Sequence, residues 1–179
     1  EIAFRHGVRK IVKSKSMVSE ESALDLAIER AGLAVVETDL GEYILQINGY
    51  EPPSHIVGPA LHKSKEEVTE LFHRRHGTPR KEGIEELCRE ARAVLREHYL
   101  TADMGISGGN FFVAETGSVV LVTNEGNASL ATTLPKVHVA ISGIEKIVPT
   151  LEDVATLMRL LPRSATGQSI SNYVDVLTG

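Results

Sequence analysis

Apolar positions along this 179-residue chain recur in two rhythms: short runs suited to strands, and spaced stripes suited to amphipathic helices. Glu1 to His6 reads as the tail of a helix stopped by Gly7. Val8 to Lys15 is expected to be a strand, with Val8, Ile11 and Val12 as its apolar members. Ser19 then reads as an N-cap, and Glu20 and Glu21 fall in the first turn, where the helix dipole favours negative charge. Ala23, Leu24, Ala27, Ile28 and Ala31 trace one stripe at helical spacing, and Gly32 supplies a stop. Leu33 to Glu37 reads as a second strand. A polar turn, Thr38 to Glu42, leads from it to a short strand from Tyr43 to Ile47.

An extended proline-rich segment, Pro52 to Pro59, separates this block from two helices. Ser64 and Glu67 have capping-box spacing for a helix ending at His76 before Gly77. The next helix covers Gly83 to Leu100, with Ile84, Leu87, Cys88, Ala91, Val94 and Leu95 as its buried face. The last third is strand-rich: Met104 to Ser107, Phe111 to Ala114, Ser118 to Thr123 and Val137 to Ile141. Glu115-Thr116-Gly117 fits a hairpin loop with glycine where positive φ is required. Thr150 and Asp153 cap a helix through Leu161 that Pro162 closes, and Tyr173 to Leu177 is strand-like. The pattern is mixed α/β, with a largely parallel sheet and a hairpin inserted late.

At 42% hydrophobic, the chain suits one globular domain with a real core. A net charge of -5 gives no basic face for nucleic acid. No apolar run approaches the ~20 residues of a membrane span, and no secretory leader opens the chain. The single cysteine, Cys88, excludes an internal disulfide and points to a reducing, cytoplasmic setting. Glu at position 1, and a strand-like run just before Gly179, read as signs of a piece of a longer protein.

Candidate chemistry clusters on loops that follow strands. Lys13-Ser14-Lys15-Ser16-Met17-Val18-Ser19 places two ammonium groups and several hydroxyls at a strand-to-helix handover, a natural receptor for a small carboxylate or phosphate. In an extended segment Lys13 and Lys15 share one side, with Ser14 and Ser16 on the other. Gly108 and Gly109, in Gly105-Ile106-Ser107-Gly108-Gly109-Asn110, can turn backbone N–H groups toward an anion. Glu115 and Thr116 sit at the hairpin tip, and Asn124 and Asn127 in a turn dense in hydrogen-bonding groups. His55 and His62 lie in the irregular proline-rich region, where imidazoles or Glu115 can accept a proton. His138 alternates with valines in a strand, and His73-x-x-His76 reads as solvated helix histidines rather than a metal site. Phosphate-loop, dinucleotide and zinc-protease motifs are absent, and one cysteine cannot ligate a zinc or iron–sulfur site.

Seven ordered motifs carry a resemblance: Lys13-Ser14-Lys15-Ser16-Met17, Glu37-Thr38-Asp39-Leu40-Gly41-Glu42, Pro53-Ser54-His55-Ile56, Ala114-Glu115-Thr116-Gly117, Asn124-Glu125-Gly126-Asn127, Gly143-Ile144-Glu145-Lys146 and Arg163-Ser164-Ala165-Thr166-Gly167-Gln168. Together they resemble the lactate utilization protein B family of iron–sulfur proteins, specifically its LUD domain, over essentially residues 1–179. The resemblance implies a Rossmann-like open, mostly parallel sheet with an inserted β-hairpin, similar to the sugar-phosphate isomerase and CoA-transferase group. It implies a parent protein that joins other subunits in a complex oxidising L-lactate to pyruvate, with a small carboxylate such as lactate or pyruvate as ligand. Two 4Fe-4S clusters are implied in a C-terminal region beyond this chain, and no cofactor within it. An exposed sheet face in a fragment also allows a homodimer. The alternatives are a stand-alone isomerase or acyl/CoA-transfer enzyme using Glu115 as base or nucleophile, and a purely structural docking module.

Overall fold

The computed structural model describes residues 1–55, 58–123, 125–171 and 173–178. A short helix, α1 (Ile2–Arg5), leads into β1 (Lys10–Lys13), whose Ile11 and Val12 are fully buried. Two short helices follow, α2 (Met17–Glu21) and α3 (Leu24–Arg30), then β2 (Ala34–Glu37). The single helix expected here is thus broken at Ala23, which takes a left-handed φ of 50°. Its cap is Ser16, whose Oγ accepts from the Ser19 N–H, while the Ser19 hydroxyl turns inward to the Ser16 carbonyl.

The segment expected to turn and form a strand at Tyr43 to Ile47 is a helix, α4 (Leu40–Ile47). Asp39 caps it, accepting from the Gly41 N–H. Leu40, Tyr43, Ile44 and Ile47 all join one core cluster, and their spacing is that of one helical face. Helices α5 (Lys65–His76) and α6 (Ile84–Leu100) follow as read from the sequence, the first with its capping box and with Gly77 at a φ of 68°. Leu87, Ala91, Leu95 and Tyr99 form the buried stripe of α6, which leaves Ile84 and Cys88 exposed, contrary to expectation.

Strand β3 (Met104–Ser107) lies beside β1, and the hairpin β4 (Phe111–Val113) and β5 (Ser118–Val122) comes next. A helix not foreseen, α7 (Asn127–Thr133), then leads to β6 (Val137–Ala140). After a 3-10 turn at Ile144–Lys146 come β7 (Ile147–Val148), α8 (Leu151–Thr166) and β8 (Val174–Leu177). Pro162 does not close α8 but sits inside it, and Gly167 is the stop.

The first sheet is wholly parallel in the order β2-β1-β3-β6, and the second has the order β7-β4-β5-β8. Alternation along β1 and β3 divides the core. Val12 joins Tyr43, Phe72, Leu95 and Ala131 under α4 to α7, whereas Ile11 and Ile106 join Ile28 under α3. Gly105 is required on the first face, because a Cβ there would stand 1.7 Å from the Ala131 carbonyl oxygen of α7. The second sheet buries Val113, Val120 and Val148 against Val154 of α8. Among the described residues no helix is long and apolar enough to cross a membrane.

Candidate functional site

Because β1, β2, β3 and β6 run parallel, their carboxyl ends share one edge of the sheet. The chain leaves β1 toward β2 but leaves β3 toward β6, so the loops after these neighbouring strands diverge and open a crevice. A cavity of about 420 Å³ fills it. Ser14, Lys15 and Ser16 line it after β1, Asp39 after β2, Gly108, Gly109 and Asn110 after β3, and Ile141 and Ser142 after β6. The start of α7 adds Asn127, and the loop before it Glu125. Lys146 completes the charged lining from the 3-10 turn.

Local bonds fix these loops. The Ser14 N–H donates to the Ile106 carbonyl at 2.9 Å, holding the β1 exit against β3. Gly108 lies against the β1 exit, where a Cβ would be in van der Waals contact with Ser16 Cβ at 3.4 Å. A Cβ on Gly109 would stand 2.3 Å from the Phe112 ring, so a side chain there would require that ring to shift. Ser107 donates to the Gly108 carbonyl at 2.9 Å, so His138 Nε2, 2.8 Å from the Ser107 oxygen, is the donor of that pair. Burial lowers the His138 pKa, in keeping with a neutral ring at the foot of the loop.

Lys15 Nζ lies 2.7 Å from Glu42 Oε1, yet it makes no well-aligned hydrogen bond among the described residues. An ammonium has three donors, so the contact leaves donors unengaged on a nitrogen that is itself buried. Burial raises the Glu42 carboxyl to about 7, a hydrogen bond with Asp39 adds to the rise, and Lys15 opposes it. Glu125 is also raised, by partial burial and then by Asp39, again against Lys15. One lysine thus stands among three carboxyls, two of which hold protons longer than usual.

The expected site residues divide. Ser14, Lys15, Ser16, Gly108, Gly109 and Asn127 share the cavity. Lys13 does not line it: its ammonium lies 2.5 Å from Glu37 Oε1, 3.0 Å from Ser19 Oγ and 3.6 Å from Asp25 Oδ1, between the sheet and α2–α3. Glu115 and Thr116 are held elsewhere, because the hairpin leaves the crevice at Asn110 and returns at Thr123, which puts its tip at the far end. There Glu115 Oε1 accepts from the Leu151 N–H at 2.8 Å, and Thr116 shares a hydrogen bond with Ser118. His62 Nε2 pairs with Glu51 Oε1 at 2.8 Å, and exposed His55 accepts from the Gly58 N–H at 3.3 Å, so neither imidazole joins the cavity. Asn124 lies outside the described residues. His73 meets the Thr78 carbonyl, and His76 bridges Tyr43 and Glu90, so both helix histidines have their own partners.

Asp39, Asn110, Glu125, Ser142 and Lys146 were not singled out from the sequence as site residues. Each lies at or beyond the carboxyl end of a strand or at the hairpin base, the positional signal that marks a ligand rim in an open parallel sheet.

Residues 3–179 match the family described as LUD domain. A lactate utilization protein B from Geobacillus thermodenitrificans (strain NG80-2) is 56% identical over 178 residues, which is 99% of this chain and 37% of that protein. Its namesake from Lysinibacillus sphaericus (strain C3-41) is 55% identical over 179 residues, 100% of this chain and 38% of that protein. The chain therefore spans well under half the length of the curated relatives it matches. A crystal structure of a DUF162 family protein from Deinococcus radiodurans overlaps with a TM-score of 0.39 at 14% identity, over 98% of this chain and 81% of that one. That overlap is too loose to carry an argument.

Proposed function

Since the chain belongs to the LUD domain family, we propose that it serves lactate utilization by holding a small 2-hydroxy or 2-oxo carboxylate, of the lactate and pyruvate class, in the crevice at the strand ends. One observation supports this reading most: Ser14, Lys15, Ser16, Gly108, Gly109 and Asn127 line a single cavity together with Lys146. Ammonium groups bind a carboxylate by charge-assisted hydrogen bonds, about twice as strong as neutral ones. The serine and asparagine side chains are suited to the hydroxyl or keto oxygen at the neighbouring carbon. Glu125, with its raised pKa, is the lining carboxylate suited to take the hydroxyl proton.

Docking onto other subunits of a lactate-oxidising complex belongs to the same proposal, and co-purification with those subunits tests it. The two 4Fe-4S clusters that the resemblance implies would lie in other parts of the parent protein. A cluster takes four thiolates, and this chain offers one cysteine, Cys88, exposed on α6, so its residues do not fit a cluster and no electron-transfer step is assigned to them.

Calorimetry with L-lactate and pyruvate tests the proposal, with the uncharged lactamide as control. Both acids are expected to bind and the amide to bind far more weakly. Lys15→Ala is expected to weaken both acids about tenfold, equivalent to ~1.4 kcal/mol. Binding of neither acid, or equal affinity for acid and amide, would remove the carboxylate from the reading.

A further inference from the structure

The loop after β3 has its carbonyl groups tied and two of its donors free. The Ser107 carbonyl accepts from the Ile141 N–H, just past β6, at 2.8 Å. The Gly108 carbonyl accepts from the Ser107 hydroxyl at 2.9 Å, and the Gly109 carbonyl from the Ser142 hydroxyl at 3.3 Å. The Asn110 N–H closes the loop on the Val120 carbonyl at 2.8 Å. Between these anchors, the N–H groups of half-buried Gly108 and Gly109 donate no hydrogen bond among the described residues. Backbone donors drawn out of solvent are nearly always paired, with protein, water or a ligand.

Peptide geometry sets where the two donors point. A trans peptide holds its N–H opposite its C=O, and no peptide among the described residues is cis. The Ser107 carbonyl faces β6, so the Gly108 N–H faces the other neighbour of β3, the exit of β1. That side is the crevice, where Ser14, Lys15 and Ser16 line the same cavity as the two glycines. The Gly108 carbonyl is drawn to the Ser107 hydroxyl, so the Gly109 N–H points away from that serine. The hydroxyl is itself fixed, because His138 Nε2 stands 2.8 Å from its oxygen and Ser107 has no exposed surface.

We propose that Ser107 and Ser142, with His138 steadying Ser107, are positioning residues that turn the Gly108 and Gly109 N–H groups into the crevice as a hole for the carboxylate of the bound acid. This rests on the reading given under Proposed function and deepens it. A carboxylate has about four lone-pair sites, more than the ammonium groups of the crevice fill by themselves. Backbone donors to an ionised oxygen make strong hydrogen bonds, and donors locked before the ligand arrives lose little freedom on binding.

Amide spectra of the full chain, followed during titration with pyruvate, test the assignment. The Gly108 and Gly109 amide protons are expected to move downfield as the acid binds. Ser107→Ala is expected to weaken pyruvate about tenfold and Ser142→Ala about fivefold, each shrinking the movement of the two amides. Ser142→Thr keeps the hydroxyl and is expected to restore both affinity and movement. A serine that only stabilised the fold would change the melting temperature without altering the response of the glycine amides. Pyruvate binding that leaves both amides unmoved would overturn the hole while the carboxylate reading stands. Affinity and amide movement untouched in Ser142→Ala and Ser107→Ala would overturn the positioning role. Binding of neither pyruvate nor L-lactate would remove the carboxylate reading, and inorganic phosphate then decides the hole: movement of both amides keeps it for another anion, and no movement overturns it.

Discussion

Lys13 and Lys15 stand two residues apart and meet opposite conditions. Lys13 is 1% exposed and surrounded by Glu37, Asp25 and Ser19, at the floor of a cavity with apolar walls. Lys15 keeps about a quarter of its side chain accessible along its stem, while its Nζ is buried beside Glu42 without a well-aligned hydrogen bond, next to the hydroxyls and glycines of the crevice. The first lysine is a structural counter-charge, since its donors are engaged within the fold. The second has donors to spare. A charged residue near a ligand cleft is therefore assigned by what already satisfies it, not by its type.

The sharpest way to break this comparison is to remove each ammonium in turn. Lys13→Ala leaves buried Glu37 and half-buried Asp25 without their cation and is expected to cost about 3–5 kcal/mol in urea unfolding. Lys15→Ala leaves one buried carboxyl, Glu42, whose raised pKa lets it take up a proton instead, and is expected to cost less, about 1–3 kcal/mol. Equal losses would mean that the two lysines do the same work.

Gly105→Ala tests the crevice by another route. Its Cβ would collide with the Ala131 carbonyl of α7, which carries Asn127 to the crevice, and overpacking of this kind costs about 1–3 kcal/mol. Lactate affinity is expected to fall with the displacement of α7, and an affinity unchanged by the substitution would show that Asn127 takes no part in the crevice.

Acidity offers a third test. Glu37 is raised to about 8, chiefly by burial, because the one ammonium of Lys13 cannot neutralise both it and Asp25, and Glu42 is raised to about 7. Both carboxyls hold protons in the fold that the unfolded chain has released above its ordinary carboxylate pKa. Their contribution to stability is therefore complete below about pH 4.5 and is lost as pH climbs through 7 and 8. The melting temperature is expected to fall between pH 5 and pH 9, and Glu37→Gln to flatten that slope. A melting temperature that rises over this range would contradict the assignment.

The smallest effects are expected at His62 and Glu115, which the crevice does not include. His62→Ala and Glu115→Gln are expected to leave lactate affinity within about twofold and stability within about 0.5 kcal/mol. A tenfold loss of affinity in either variant would return that residue to the site.

Much of the scaffold was legible locally. The capping box of Ser64 and Glu67, the glycine stop at Gly77 and the stripe through Leu87, Ala91 and Leu95 each act within a few residues, so pattern alone finds α5 and α6. Where two readings compete locally, the core decides. Tyr43, Leu45 and Ile47 alternate like a strand, but Leu40, Tyr43, Ile44 and Ile47 meet Phe72 and Leu95 only as a helix. Pro162 lacks an amide donor yet remains in α8, where it is buried, and the stop falls five residues later at Gly167. Ser16 and Ser19 are equally good caps by residue type. The inward turn of Ser19, to the Ser16 carbonyl and Lys13, settles which one caps.

By itself, the sequence determined most of the strands and helices, though not α4, α7 or the break between α2 and α3, together with the family and the loops that carry polar groups, because those signals are written in neighbouring residues. The tertiary structure alone decided which loops meet. Sheet order brings the exits of β1 and β3 together, and hairpin direction carries Glu115 away. A buried carboxyl at Glu37, 24 positions along the chain from Lys13, engages that lysine, while Lys15 keeps donors unengaged at the rim of the crevice. Contacts between residues distant in sequence depend on packing energies summed over the whole core, and no local window of the chain contains that sum.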